Sequence, residues 1–176
     1  MRSPTYGELT FSEMAGKIAS YIVKQGLDCQ YELSVGTDSQ NFSDTKVVIV
    51  VTLHNVGHGG IFFFDIHRIR KICNVREKLT VETNYSLECA QKLIDAFEAF
   101  RESFGFDIKK YVHFSIHVDA GPNGKSRESI NEICGWVRAC GYEVHTKPDS
   151  YAASAVANKY SCLLYTSPSP RDLSTS

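Results

Sequence analysis

Three separate stretches of this chain alternate apolar and polar residues with a period of two, and each ends on an aspartate where the alternation breaks. In Tyr31–Gln40, Leu33 and Val35 mark one face, Gly36 permits close approach of another backbone or a ligand, and Asp38 follows. In Val112–Asp119, Val112, Phe114, Ile116 and Val118 point one way and His113, Ser115, His117 and Asp119 the other. Tyr142–Asp149 repeats the design and ends on Asp149. A chain with three such strands is expected to carry three carboxylates to the ends of one sheet.

The remaining pattern supplies the rest of that sheet. Thr10 and Glu13 form a capping box for a helix bearing Met14, Ile18, Tyr21 and Ile22, stopped by Gly26. Lys46–Leu53 is a continuous β-branched run, expected of a strand covered on both faces, and a Gly-rich loop, Asn55–Gly60, links it to Ile61–Arg68. From Val75 to Phe104 the period changes to that of a long helix, with Leu87, Ala90, Leu93, Ile94, Phe97 and Phe100 on one side and Thr83 or Asn84 read as the cap of its main part. Ser126 is placed as the cap of a helix carrying Ile130, Ile133, Cys134 and Val137, and a short Ala-rich helix is expected at 151–160. The order α, then β-β-β-α-β-α-β-α, predicts an α/β fold. Its mixed five-stranded sheet has three antiparallel strands followed by parallel ones, helices on both faces and an added N-terminal helix. Right-handed crossovers then bring Asp38, Asp119 and Asp149 to neighbouring strand ends.

At 176 residues the chain is expected to hold one domain, 4–160. The Ser/Thr/Pro-rich residues 161–176 have no amphipathic period and read as a disordered or non-native tail. No apolar run reaches the roughly 18 residues of a membrane span and the first residues lack a signal peptide's apolar core, so a cytoplasmic protein with no membrane partner is expected. The six cysteines include no C-x-x-C pair, which points to reduced thiols rather than a zinc knuckle. A formal net charge of −1 excludes an overall basic field and leaves only local patches to grip a nucleic acid.

A single aspartate at a strand end is ordinarily a turn or N-cap residue. Three in register repel one another unless cations sit between them, and an all-oxygen donor set suits Mg²⁺ or Mn²⁺. Two such ions about 4 Å apart are the apparatus of phosphodiester hydrolysis.

Element order and acid positions together resemble the ribonuclease H fold. More closely, Gly36-Thr37-Asp38-Ser39-Gln40, His117-Val118-Asp119-Ala120-Gly121 with Gly124-Lys125-Ser126, and Lys147-Pro148-Asp149-Ser150-Tyr151-Ala152-Ala153 resemble the YkuK-type family of predicted ribonuclease H-like proteins over residues 4–160. The stretch Thr83–Glu88 before an apolar helix is similar to the one that bears the helix glutamate of ribonucleases H, which implies Glu88 as a fourth acid, with Glu82 as its competitor. The resemblance implies a nuclease whose catalytic and metal-holding residues are Asp38, Glu88, Asp119 and Asp149. It would use Mg²⁺ or Mn²⁺ and leave a 3′-hydroxyl and a 5′-phosphate. The expected partner is RNA or an RNA/DNA hybrid rather than plain duplex DNA. The alternative is a nucleic-acid- or protein-binding module of the same fold without efficient catalysis.

Lys125, Lys147, Arg68 and Arg70 are the candidate contacts to a phosphate backbone, although a solvated strand end is the more common reading of the basic run His67–Lys71. Gly121–Ser126 is only a partial phosphate-binding loop, because that motif requires glycine where Asp119 stands. His117, two residues before Asp119 on the same face, reads either as a proton shuttle or as a polar residue on a partly covered sheet.

Overall fold

A computed structural model describes residues 1–120 and 127–150. Lys125, the helix expected at 151–160 and the tail lie outside the described residues. The elements are β1 (Arg2–Ser3), β2 (Gly7–Glu8), α1 (Phe11–Gln25), β3 (Tyr31–Asn41), β4 (Thr45–Asn55), β5 (Gly59–Ile69), α2 (Val75–Phe104), β6 (Val112–Val118), α3 (Arg127–Ala139) and β7 (Glu143–Thr146). One sheet runs in the order β2-β1-β5-β4-β3-β6-β7. Its centre is as expected: β3, β4 and β5 form an antiparallel meander, and β6 and β7 add in parallel beside β3.

The sheet has seven strands rather than five. The first eight residues fold into a two-residue ladder, Arg2 opposite Glu8, whose inner strand, β1, also pairs through Arg2 with Phe64 of β5. The Met1 ammonium donates to the Leu9 carbonyl at 3.0 Å and ties that ladder to the start of α1. Such short strands carry no periodic signal, which is why the sequence does not announce them.

One face of the sheet makes the main core. Tyr31, Leu33 and Val35 of β3, Ile49, Val51 and Leu53 of β4 and Ile116 and Val118 of β6 pack with Met14, Ile18 and Ile22 of α1, Leu79, Leu87, Ala90, Leu93 and Phe97 of α2, and Ile133 and Val137 of α3. All three described α-helices therefore lie on this face. On the second face Val48, Val50 and Phe64 form a small cluster with Phe62 and Ile66 beside it. β4, apolar on both sides, is buried along nearly its whole length, as its β-branched run requires.

Helix ends explain helix placement. Thr10 caps α1 with both halves of the predicted box, Glu13 N–H to Thr10 Oγ1 and Thr10 N–H to Glu13 Oε2. The Tyr31 hydroxyl donates to the Gly26 carbonyl at 2.7 Å and latches the other end of α1 to β3. α2 runs unbroken across Thr83 and Asn84. Its cap is Asn74, whose side chain accepts from the Arg76 and Glu77 N–H groups. Thr83 is buried inside the helix and Asn84 donates to Glu88, so neither begins it. α2 is fastened to β3 by two side-chain contacts, Thr37 with Ser86 at 2.8 Å and Ser39 with Glu82 at 2.6 Å.

Candidate functional site

The register of the parallel strands builds the site. β3 and β6 pair from Tyr31 opposite Val112 to Thr37 opposite Val118, and β6 and β7 pair as far as Val118 opposite Thr146. One step further along each strand stand Asp38, Asp119 and Lys147. The alternation of side chains puts all three on the second face. Asp38 is not at the end of its strand as expected: β3 continues to Asn41 against β4, with Asp38 opposite Val48. What ends at this level is β6, so among the described residues β3 has no strand neighbour on that side beyond Thr37.

α2 reaches the same level from the core side. Glu82 is 7% exposed, accepts a hydrogen bond from the Ser39 hydroxyl and lies 3.8 Å from the Lys78 ammonium one turn earlier. Burial pushes its carboxyl up to about 7, against the pull of the Ser39 hydrogen bond and of Lys78, with the charges of Asp38 and Asp119 adding to the rise. Burial likewise raises the Asp38 carboxyl, Asp119 raises it further, and Lys78, the Ser39 N–H and Lys147 hold it down. The Lys147 ammonium sits 2.6 Å from Asp119 Oδ1, and this contact raises the lysine's own pKa. Asp38, Glu82 and Asp119 thus share one electrostatic field, with two lysines supplying the positive charge beside them.

The helix acid in this group is Glu82, not Glu88. Glu88 is exposed and accepts a hydrogen bond from Asn84 Nδ2 at 2.6 Å. The physical reason is rotation: residues six apart on a helix stand about 240° from each other around its axis. Glu82 falls in the row Leu79, Glu82, Ser86, Cys89 and Leu93 that faces the sheet, and all five are buried. The signals in the sequence were the Asn74 cap and the buried spacing running back to Leu79.

Asp149 follows β7 after a cis Lys147–Pro148 bond, with its N–H donated to the Thr146 carbonyl at 2.9 Å. It is exposed and lines a cavity of about 790 Å³ on the second face together with His117 and His145. His117 is buried there. Burial, with His145 close by at 5.5 Å between ring centroids, lowers its pKa to about 4 and leaves it neutral. Arg68 and Arg70 stand at the same end of the sheet as Asp38, but each is held by a carboxylate: Arg68 reaches both oxygens of Asp44 at 3.0 Å, and Arg70 pairs with Glu77.

The fit to divalent ions is chemical. Buried carboxylates with raised pKa values are electrostatically short of positive charge, and their oxygens are the donors that Mg²⁺ and Mn²⁺ prefer.

Known proteins place the chain. Residues 13–162 match the family model described as Ribonuclease H-like. The chain is 32% identical over 162 residues to the uncharacterized protein YkuK of Bacillus subtilis (strain 168), a match spanning 87% of this chain and 91% of that one. Among solved structures it is similar to the Mos1 transposase catalytic domain with raltegravir and Mn, at 11% identity, 89% coverage of this chain, 74% of that one and a TM-score of 0.33. The same domain with Mg gives a TM-score of 0.32 at 11% identity, with 89% of this chain and 75% of that one covered. These two superpose too loosely for residue-by-residue transfer. No helix among the described residues is long and apolar enough to cross a membrane.

Proposed function

Because the chain belongs to the ribonuclease H-like family, in its YkuK-type branch, we propose that it is a cytoplasmic, metal-dependent nuclease that hydrolyses phosphodiester bonds of RNA, RNA/DNA hybrids or structured DNA. One observation carries the reading: Asp38 and Asp119, side by side past the last β3–β6 pair, are joined by Glu82 from α2 in a single field.

Asp38, Glu82 and Asp119 would hold Mg²⁺ or Mn²⁺, with Asp149 entering from the cavity side. Such ions, when bound, neutralise charge on the phosphodiester and activate water for in-line attack. The chain's own groups do the rest. Asp38 and Asp119 are held in place by the β3–β6 ladder, so the acid pair is preorganised rather than assembled on binding. Ser39 fixes the Glu82 carboxyl. Lys147, half-exposed on its strand end, has three donors and can exchange Asp119 for a phosphate oxygen. The product pair is a 3′-hydroxyl and a 5′-phosphate.

The deciding experiment offers purified protein single-stranded RNA, an RNA/DNA hybrid and a branched DNA, with Mg²⁺, with Mn²⁺ and with chelator. Cleavage should need the cation and vanish in Asp119→Asn. Glu82→Gln should lose orders of magnitude while Glu88→Gln stays near wild type. Undiminished cleavage by Asp119→Asn would overturn the assignment. A second reading, a binding module without efficient catalysis, is favoured by the carboxylate partners that Arg68, Arg70 and Lys147 already have. Binding to one of these substrates with no cleavage in Mn²⁺ would establish it.

A further inference from the structure

Four of the protein's six histidines stand on the second face of the sheet: His54 on β4, His113 and His117 on β6, and His145 on β7. All four line the cavity there. Of the acids proposed to hold Mg²⁺ or Mn²⁺, Asp149 lines this cavity and Asp38, Glu82 and Asp119 do not, so the four histidines occupy a part of the face that those three acids do not reach.

Two of the histidines share one carboxylate. Glu143 Oε2 lies 2.9 Å from His113 Nε2, and Glu143 Oε1 lies 3.0 Å from His145 Nε2. The strand register dictates the arrangement. Glu143 pairs with Ser115, so His113 is its diagonal neighbour on the same face, and His145 follows two residues along β7. One ligand atom from each of the three residues lies within 4.8 Å of the others. A tetrahedral ion with bonds of about 2.0–2.2 Å needs ligand atoms about 3.4 Å apart. The adjustment falls on side chains that are 60%, 47% and 34% exposed, on two strands that need not move.

We propose that His113, Glu143 and His145 form a binding site for a borderline divalent transition cation of the Zn²⁺ type, with its remaining coordination positions open towards the cavity. Two imidazole nitrogens and one carboxylate oxygen are the donors such ions take, whereas Mg²⁺ prefers oxygen alone. The site is therefore chemically distinct from Asp38, Glu82 and Asp119, and the inference stands whether or not the protein is a nuclease. Open positions facing a cavity would let the ion bind a small anionic or hydroxyl-bearing ligand as well as its three side chains.

Titration calorimetry of the full chain with Zn²⁺, in excess Mg²⁺ to occupy the oxygen site, tests this. One equivalent should bind. His113→Gln and His145→Gln should each weaken it about tenfold or more, and Asp119→Asn should leave it unchanged. On the wild-type protein, long-range ¹H–¹⁵N spectra should show Zn²⁺ shifting the Nε2 resonances of His113 and His145 but not those of His58, which sits in the β4–β5 loop. The spectra decide the question even if a variant fails to fold. Absence of binding, full affinity in both histidine variants, loss in Asp119→Asn, or unshifted His113 and His145 resonances would each overturn the site.

Discussion

Burial acts on Glu82 and His117 with opposite sign. Glu82 is held protonated up to about pH 7, whereas an unfolded glutamate ionises near 4.5, so the native state binds the extra proton between those values. Stability from this group therefore falls as pH rises from 4.5 to 7 and is flat above. His117 is held neutral down to about pH 4, whereas an unfolded histidine takes its proton near 6.5, so here the unfolded state binds the extra proton. Its contribution is intact above 6.5 and is lost as pH falls towards 4. At about 1.4 kcal/mol per pH unit, each cost is on the order of 3 kcal/mol, and across their shared window the two slopes nearly cancel. Metal-free protein should thus show little pH dependence from this pair. The stability difference between Glu82→Gln and wild type should grow with pH up to 7. The difference for His117→Gln should grow as pH falls below 6.5. Denaturant melts in chelator at several pH values measure both, and parallel curves for variant and wild type would mean that neither group is desolvated as described. Sequence pattern put His117 and Asp119 on one face, but it has no access to burial. That is why the sequence offers Glu82 only as the competitor of Glu88 and does not show that burial raises its pKa.

At the scale of the elements, the periodic segments were legible and their local interruptions were not. The capping box of α1, the meander, and the bounds of α2 at Val75 and Phe104 all follow from spacing, since burying one face forces the period. The shared face and level of Asp38 and Asp119 were legible for the same reason: alternation fixes the face and parallel pairing fixes the level. The error lay within α2, where Thr83 and Asn84 have cap-forming side chains but spend them otherwise, Thr83 buried and Asn84 on Glu88. Cap propensity cannot distinguish a helix start from a polar contact inside a helix. The true cap, Asn74, satisfies two N–H groups, so Asn74→Ala should cost about 1 kcal/mol in a denaturant melt. Thr83→Ala and Asn84→Ala should not produce the helix fraying that follows loss of a cap. Amide exchange in the first turn at Val75–Lys78 reads this directly. Faster exchange there in Asn84→Ala, with Asn74→Ala unchanged, would return the helix start to the later position.

For the molecule as a whole, the decisive quantity is how much positive charge is free to meet a polyanion. The chain carries a formal net charge of −1. Of the residues expected to grip a phosphate backbone, Arg68 is paired with Asp44, Arg70 with Glu77 and Lys147 with Asp119. Each pair must be broken or shared before its cation can neutralise a phosphate, and exposed pairs of this kind are worth at most about 1 kcal/mol apiece. Few counterions should therefore be released on binding. The slope of log K against log salt is roughly −0.9 per phosphate neutralised on a duplex and about −0.7 on a single strand. With two or three contacts its magnitude should stay below about 3, and binding should depend more on the divalent ion than on salt. Removing the acids that occupy the cations should steepen it: Asp44→Asn frees Arg68 and should add about one contact's worth of slope, while Arg68→Ala should remove it. Fluorescence anisotropy with a labelled RNA/DNA hybrid, in Ca²⁺ to separate binding from cleavage, provides the measurement. A wild-type slope of about 6 or more would mean that the polyanion is held by a basic surface other than these three residues, and would move the binding face away from the end of β3.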